Sequence, residues 1–252
     1  MADALLATDN LTKEFSALIA VDRVSLEIEA DSVTAVIGPN GAGKTTLFNL
    51  LTGKLEPTSG SIAFRGERID GFPPHEIVRR GIARSYQITN FFADLTVLEN
   101  VRLAAQRRHS RLSPGDFLSH YSSKEDALDD AQAALESVDL MDVRDRPAGN
   151  LSHGQRRHLE VGIALALDPD LLLLDEPTAG MSPDETHEMK DLLQTIAQDI
   201  TLVLVEHDMD VVMDVSDKVA VMNRGSLIAY DTPSVVREDD EVQRAYLSGG
   251  AG

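Results

Sequence analysis

The sequence predicts an α/β fold built on a mostly parallel sheet, with a helical insertion. Three observations carry this. Short apolar runs of strand length recur between stretches of helical periodicity; one of them, Val33–Ile37, ends in glycine and opens directly onto a helix; and from about Ile88 to Asn150 strands give way to helices and a polar loop. Strands and helices in alternation imply a sheet covered on both faces, because each element must bury its apolar side against another layer.

Taken in order, Val24–Ile28 alternates Val24, Leu26 and Ile28 with Ser25 and Glu27, the period of a half-buried strand. Val33–Ile37 is continuously apolar, as a buried parallel strand is, and "KTTLFNLL" after the glycine-rich turn reads as a helix. A strand is expected at Ser61–Phe64 and a proline-started helix at Pro74–Arg80. Thr96–Arg108 and Glu125–Val138 read as helices, separated by the polar "HSRLSPGDFLSHYSS". From Leu151 the alternation resumes with a helix, a strand at Asp170–Leu174, a helix at Pro183–Gln198, and strands at Thr201–Val205, Val219–Asn223 and Leu227–Tyr230. Gly249–Gly252 reads as a frayed tail.

At 252 residues and 42% hydrophobic side chains the chain can bury a sizeable core as one domain. No apolar run approaches the roughly 18 residues of a membrane-spanning helix, and "MADALLATDN" lacks the pattern of a secretory signal. There is no cysteine, which excludes disulfides and thiolate metal sites and makes a cytosolic location the expectation. Forty-two acidic against 23 basic side chains leave a net charge of −19. Such a field repels a phosphate backbone, so nucleic acid is not an expected partner. Scarce lysine among abundant carboxylates resembles the proteins of salt-loving microbes, where a Debye length of about 3 Å at molar salt screens the repulsion.

"GPNGAGKTT" fits G-x-x-x-x-G-K-[ST], a phosphate-binding loop, between the strand and helix it needs. Gly38, Gly41 and Gly43 permit positive φ, so that backbone N–H groups turn inward around phosphates, and Gly38, Pro39, Asn40, Gly41, Ala42, Gly43, Lys44, Thr45 and Thr46 are the candidate nucleotide-binding residues. Lys44 supplies a point charge for the β- and γ-phosphates, and Thr45 a hydroxyl for Mg²⁺. "LLLLDE" is a buried strand ending in two acids, at the edge where open α/β sheets bind ligands. Asp175 is the candidate for holding Mg²⁺ through water, and Glu176, facing another way, for polarising the attacking water. Two acids there cost stability unless a cation is close. In "LSHGQ", Ser152 and Gln155 fit a capping box, the ordinary signal of a helix start, and a helix start of this kind with no neighbouring carboxylate can also receive a phosphate. His153 and His158 read as surface or packing residues, since no ligand set with metal spacing accompanies them.

Phosphate loop, "LSHGQ" and acidic strand end in this arrangement resemble the nucleotide-binding subunits of ABC transporters, essentially end to end. The resemblance implies a P-loop NTPase with a RecA-like core over residues 1–87 and 152–252, a small antiparallel β part, and an inserted helical subdomain over about 88–151. It implies ATP and Mg²⁺ as ligands. Phe15 in "KEF" is similar to the aromatic that stacks on adenine; Gln87 in "RSYQ" resembles the glutamine that reaches Mg²⁺ and the attacking water; His207 in "LVEHDM" resembles the switch histidine on the γ-phosphate. Ser152, His153, Gly154 and Gln155 then meet ATP held by the opposite subunit, so one chain cannot complete its own site. Two departures stand out: Ser182 occupies the place of the family's aspartate in "AGMSP", and His153 that of a glycine.

"GPNGAGKTTLFNLLTG", "RSYQITNFFADLTVLENV" and "LLLLDEPTAGMSP" are similar to the ATP-binding subunits of branched-chain amino acid importers, with urea importer subunits close and lipopolysaccharide-exporting cassettes also alike. The resemblance implies an ATPase at the cytoplasmic face of the membrane, partnered by transmembrane permease subunits, a second copy or paralogue, and indirectly a solute-binding protein. Phe91 and Phe92, adjacent aromatics in a polar stretch, read either as docking residues for the permeases or as core of the helical subdomain. A soluble ABC ATPase acting on nucleic acid is the competing class, against which the charge argues.

Overall fold

The computed structural model describes residues 4–85, 91–109 and 122–249. In chain order these form β1 (Leu6–Phe15), β2 (Leu18–Ile28), β3 (Val33–Ile37), α1 (Lys44–Leu51), β4 (Ser59–Phe64), β5 (Glu67–Arg68), α2 (Pro74–Arg79), β6 (Ile82–Arg84), α3 (Val97–His109) and α4 (Ser122–Ser137). Then follow α5 (His153–Leu165), β7 (Leu171–Asp175), α6 (Pro183–Ile196), β8 (Thr201–Val205), α7 (Met209–Val215), β9 (Lys218–Asn223), β10 (Ser226–Asp231), α8 (Pro233–Glu238) and α9 (Asp240–Gly249). The expected polar segment at 109–123 lies almost wholly outside the described residues.

The chain divides into two compact units, one of residues 1–80 with 197–252 and one of residues 81–196. In the first, β3 pairs in parallel with both β8 and β9, and β10 closes this group antiparallel to β9. All five residues of β3 and all five of β8 are buried, which is why both read as continuous apolar runs rather than alternating ones. A separate antiparallel sheet runs in the order β2-β1-β4-β5. The alternation at Val24–Ile28 is the end of a longer strand, β2, whose buried Val24, Leu26 and Ile28 face the core.

Strand β1 has no clean sequence period because its pairing with β2 slips at Thr8/Leu11, Leu11/Lys13 and Lys13/Glu14. Each bulge moves the apolar set across the pleat, so Leu6 and Leu11 are both buried at an odd separation.

In the second unit β6 and β7 pair in parallel, and Leu171–Leu174 of β7 are fully buried. Each such leucine contributes about 2 kcal/mol relative to an exposed one. Helices α3, α4 and α5 pack on one another through small buried residues, Ala105, Ala127, Ala131 and Ala134 among them. The helical segment expected at 88–151 is part of this unit.

Candidate functional site

The phosphate loop belongs to the first unit. Gly43, at φ +103°, is the residue before α1 and supplies no side-chain cap, so the N–H groups of the helix's first turn remain turned toward the loop's concavity. Glycine is required at two positions for a steric reason. A Cβ on Gly38 would stand 2.1 Å from the Met222 carbonyl oxygen, and one on Gly43 would stand 2.3 Å from that of Ala20. The loop is braced from behind, with the Gly225 amide donating to the Ala42 carbonyl at 2.9 Å. Lys44 is buried to 7% exposure, and its Nζ donates to the Gly38 carbonyl at 2.6 Å and the Pro39 carbonyl at 3.2 Å. The ammonium is thus held over the loop by the same backbone that would cradle phosphate. Thr45 is exposed, Thr46 half-buried and Asn40 exposed.

A cavity of about 420 Å³ opens onto Gly38, Pro39, Asn40, Gly41 and Ala42, and His207 stands on its wall. His207 follows β8 because Asp208 starts α7: its Oδ1 accepts from the Asp210 amide at 2.9 Å and from that of Val211 at 3.4 Å. Before it Glu206 is buried, its Oε2 accepting the His207 amide at 3.0 Å. The phosphate loop and His207 therefore line one cavity. Sequence reasoning missed Tyr246, which α9 brings to the same wall. Burial raises its phenol pKa, a backbone hydrogen bond at Gly38 opposing the shift. No local pattern marks that residue. Phe15 does not line this cavity; it stands half-exposed at the end of β1, with Lys13 Nζ 5.3 Å from its ring centre.

The acidic strand end and the "LSHGQ" helix belong to the second unit. Asp175 closes β7, and Arg84 on the adjacent β6 meets it: Arg84 Nη2 lies 2.7 Å from Asp175 Oδ2, with the two side chains only 5% and 13% exposed. This is the cation that a buried acidic strand end requires, supplied from 91 residues away. Removing one member of a buried pair strands the other. Arg84→Ala is expected to lower the unfolding free energy by about 3 kcal/mol, measured by urea denaturation; a loss below about 1 kcal/mol would mean the pair is effectively solvated.

Glu176 takes φ +49°, in the left-handed region that few residues other than glycine, asparagine and aspartate adopt. The chain turns sharply there, and the Ala179 amide donates to the Glu176 carbonyl at 3.1 Å. Asp175 and Glu176 consequently leave the strand in different directions.

The capping box at α5 is present in full. The Gln155 amide donates to Ser152 Oγ at 3.2 Å, and the Ser152 amide to Gln155 Oε1 at 3.1 Å. The expectation of a helix start free of carboxylates is corrected: Glu185 of α6 reaches the first turn, and the Gly154 amide donates to its Oε1 at 3.0 Å. The backbone N–H groups of Ser182 and Gly154 and the Ser182 hydroxyl hold the Glu185 carboxyl below its usual range. His153 Nε2 lies 3.2 Å from the Ala179 carbonyl oxygen, and His158 Nδ1 lies 3.0 Å from that of Val138, so both rings are tied to backbone. Gln87 lies outside the described residues. The two candidate docking aromatics separate: Phe91 is half-buried and Phe92 is 64% exposed.

A glycine-built phosphate loop between a buried parallel strand and a helix, sharing its cavity with a histidine, defines a nucleotide-binding protein of the P-loop NTPase class. The profile described as ABC transporter matches residues 21–179, and the chain belongs to that family; it is an ATP-binding cassette, an ATPase of the ABC kind. It is 39% identical over 255 residues to the high-affinity branched-chain amino acid transport ATP-binding protein LivG of Salmonella typhimurium, covering 98% of this chain and 99% of that one. To BraF of Pseudomonas aeruginosa, described in the same words, it is 41% identical over 253 residues with the same coverage. Two solved structures are similar throughout. A nucleotide-free ATP-binding cassette from an ABC transporter superimposes with a TM-score of 0.84 at 32% identity, covering 96% of this chain and 98% of the other. The ADP conformation of an ABC cassette gives 0.83 at 32% identity, covering 97% and 98%.

Proposed function

We propose that this chain hydrolyses ATP to drive an importer of branched-chain amino acids, as one of two ATP-binding subunits docked on permease subunits at the cytoplasmic face of the membrane. The observation that carries the solute class is end-to-end similarity, 39–41% identical over 98% of the chain, to proteins named for that transport. The phosphate-loop cavity with His207 on its wall supports the chemistry. Among the described residues no helix is long and apolar enough to cross a membrane, which fits a subunit that passes its motion to separate permeases.

Phosphoryl transfer asks for positioning and charge neutralisation more than for covalent help. Lys44 and the loop amides from Gly38 to Thr46 hold the β- and γ-phosphates, while Phe15 stacks on the adenine. Glu176 polarises the attacking water, and His207 and Gln87 orient it against the γ-phosphate. Ser152, His153, Gly154 and Gln155 close on the ATP of the opposite subunit. Among the described residues no set of three or more His, Cys, Asp or Glu side chains could hold a metal alone. Mg²⁺ keeps waters and phosphate oxygens and takes few protein ligands; the Thr45 hydroxyl, Gln87 and, through water, Asp175 would be its hard oxygen donors. When bound, Mg²⁺ would supply positive charge against the triphosphate.

The experiment is reconstitution of the chain with its permeases in liposomes. Leucine-loaded binding protein is expected to stimulate ATP hydrolysis several-fold; stimulation by a urea-loaded binding protein instead would reassign the solute, and stimulation by DNA without permeases would overturn transport altogether.

Docking is tested at Phe92. The Asn100 side chain clamps the backbone there, accepting from the Phe92 amide at 2.7 Å and donating to its carbonyl at 3.0 Å, so the exposed ring is presented by a fixed loop. Phe92→Ala is expected to spare ATP binding and to weaken co-purification with the permeases; unchanged recovery would refute the assignment.

The acidic surface carries an expectation too. With 42 carboxylates against 23 cationic side chains, thermal unfolding should move upward in KCl of about 1 M, where the Debye length is about 3 Å. A midpoint unmoved or lowered by salt would contradict adaptation to a salty cytoplasm.

A further inference from the structure

We infer that Glu185 of α6 is a built-in competitor at the amino terminus of α5, seated on an amide that the partner's γ-phosphate must take. The inference rests on the reading that the "LSHGQ" turn receives nucleotide from the opposite subunit.

Gly154 is the second residue of α5, so its N–H has no partner within the helix and points out of the amino terminus. Glu185 fills that place. Its Oε1 takes the Gly154 amide at 3.0 Å, while its Oε2 takes the Ser182 amide at 2.9 Å and the Ser182 hydroxyl at 3.0 Å. Ser182 Oγ in turn lies 3.4 Å from the Glu185 amide, the reciprocal contact of a capping box on α6. One carboxylate thus sits on the amino ends of two helices, where both macrodipoles favour an anion. The approach is close: a Cβ on residue 154 would stand 2.9 Å from Glu185 Oε1 and 3.1 Å from its Cγ, so a larger residue there would push the carboxylate aside.

The same contacts gather the two residues by which this chain departs from its family. Ser182 holds Glu185, and His153 holds the carbonyl of Ala179 at 3.2 Å. Both clamp the loop that starts at Glu176 onto the amino terminus of α5. A phosphate arriving at the Gly154 amide displaces Glu185 Oε1 and must overcome repulsion from its charge. Glu185 therefore sets the ATP concentration at which two subunits pair, and its release loosens the loop that carries the hydrolytic carboxylate.

The test is run in a Glu176→Gln background, where ATP accumulates unhydrolysed, with pairing followed by sedimentation as ATP is raised. Glu185→Gln keeps the acceptor oxygen for α6 but removes the charge, and the half-maximal ATP concentration for pairing is expected to fall about tenfold, while binding of ATP to the isolated subunit stays unchanged. Glu185→Asp, one methylene too short to span both helices, is the second variant and is expected to shift the same way. Loss of a merely structural cap moves the threshold upward, so the direction separates the two roles. A threshold unchanged or raised in folded variants overturns the inference. If the Glu176→Gln protein binds ATP yet never pairs, the reading beneath it has failed instead.

Discussion

Lys44→Ala is expected to weaken ATP binding at least about a hundredfold, because it removes the one cationic side chain that the phosphate loop itself supplies. The side chain is buried at 7% exposure, and its Nζ is gripped by the Gly38 and Pro39 carbonyls. An alanine there leaves the triphosphate facing the Gly38 and Pro39 carbonyl oxygens with no compensating charge beside them. Lys44→Arg is expected to fare little better, since a planar fork cannot replace a compact ammonium between two carbonyls. Calorimetric titration with ATP and Mg²⁺ measures both. An affinity within about threefold of the parent, under 1 kcal/mol, would show that the amides alone carry recognition.

Glu176→Gln is expected to lower turnover about a hundredfold or more while leaving ATP affinity intact, the signature of a group that acts on the reacting water. The geometry explains why the neighbouring acid cannot replace it. Asp175 is paired with Arg84 inside the sheet, whereas Glu176, at φ +49°, is turned out of the strand. Glutamine keeps the shape and hydrogen-bonding reach of the side chain but cannot accept the proton. Steady-state phosphate release and equilibrium binding separate the two effects. Turnover at the parental rate would remove Glu176 from the chemistry.

How much of this was legible in the sequence follows from the range of each interaction. The phosphate loop is local: strand β3, three glycines, Lys44 and α1 are consecutive, and the expected boundaries at Val33–Ile37 and the helix from Lys44 match the structure. The same holds for the capping box of α5, for which four residues suffice. Strand β1 was not legible because three bulges erase its period, and β6 because three residues are too few to show one.

Arg84 could not be found by any local rule, since its partner lies 91 residues away. Tyr246 is likewise placed by α9 on a cavity whose other members lie far back along the chain. Glu185 is different. Ser182-Pro183-Asp184-Glu185 fits the S-x-x-E pattern of a helix start, so its capping of α6 was within reach of the sequence; only its second attachment, to Gly154, needed the fold.

The central claim, that the phosphate loop of one subunit and the Ser152 turn of another grip the same triphosphate, has a direct test because the chain contains no cysteine. Asn40→Cys and Ser152→Cys are introduced together into the Glu176→Gln protein, and oxidative cross-linking is compared with ATP, with ADP and without nucleotide. The account predicts an intermolecular disulfide of twice the chain's mass that forms with ATP alone. A disulfide closed within a single chain, or none while ATP is demonstrably bound, would contradict it.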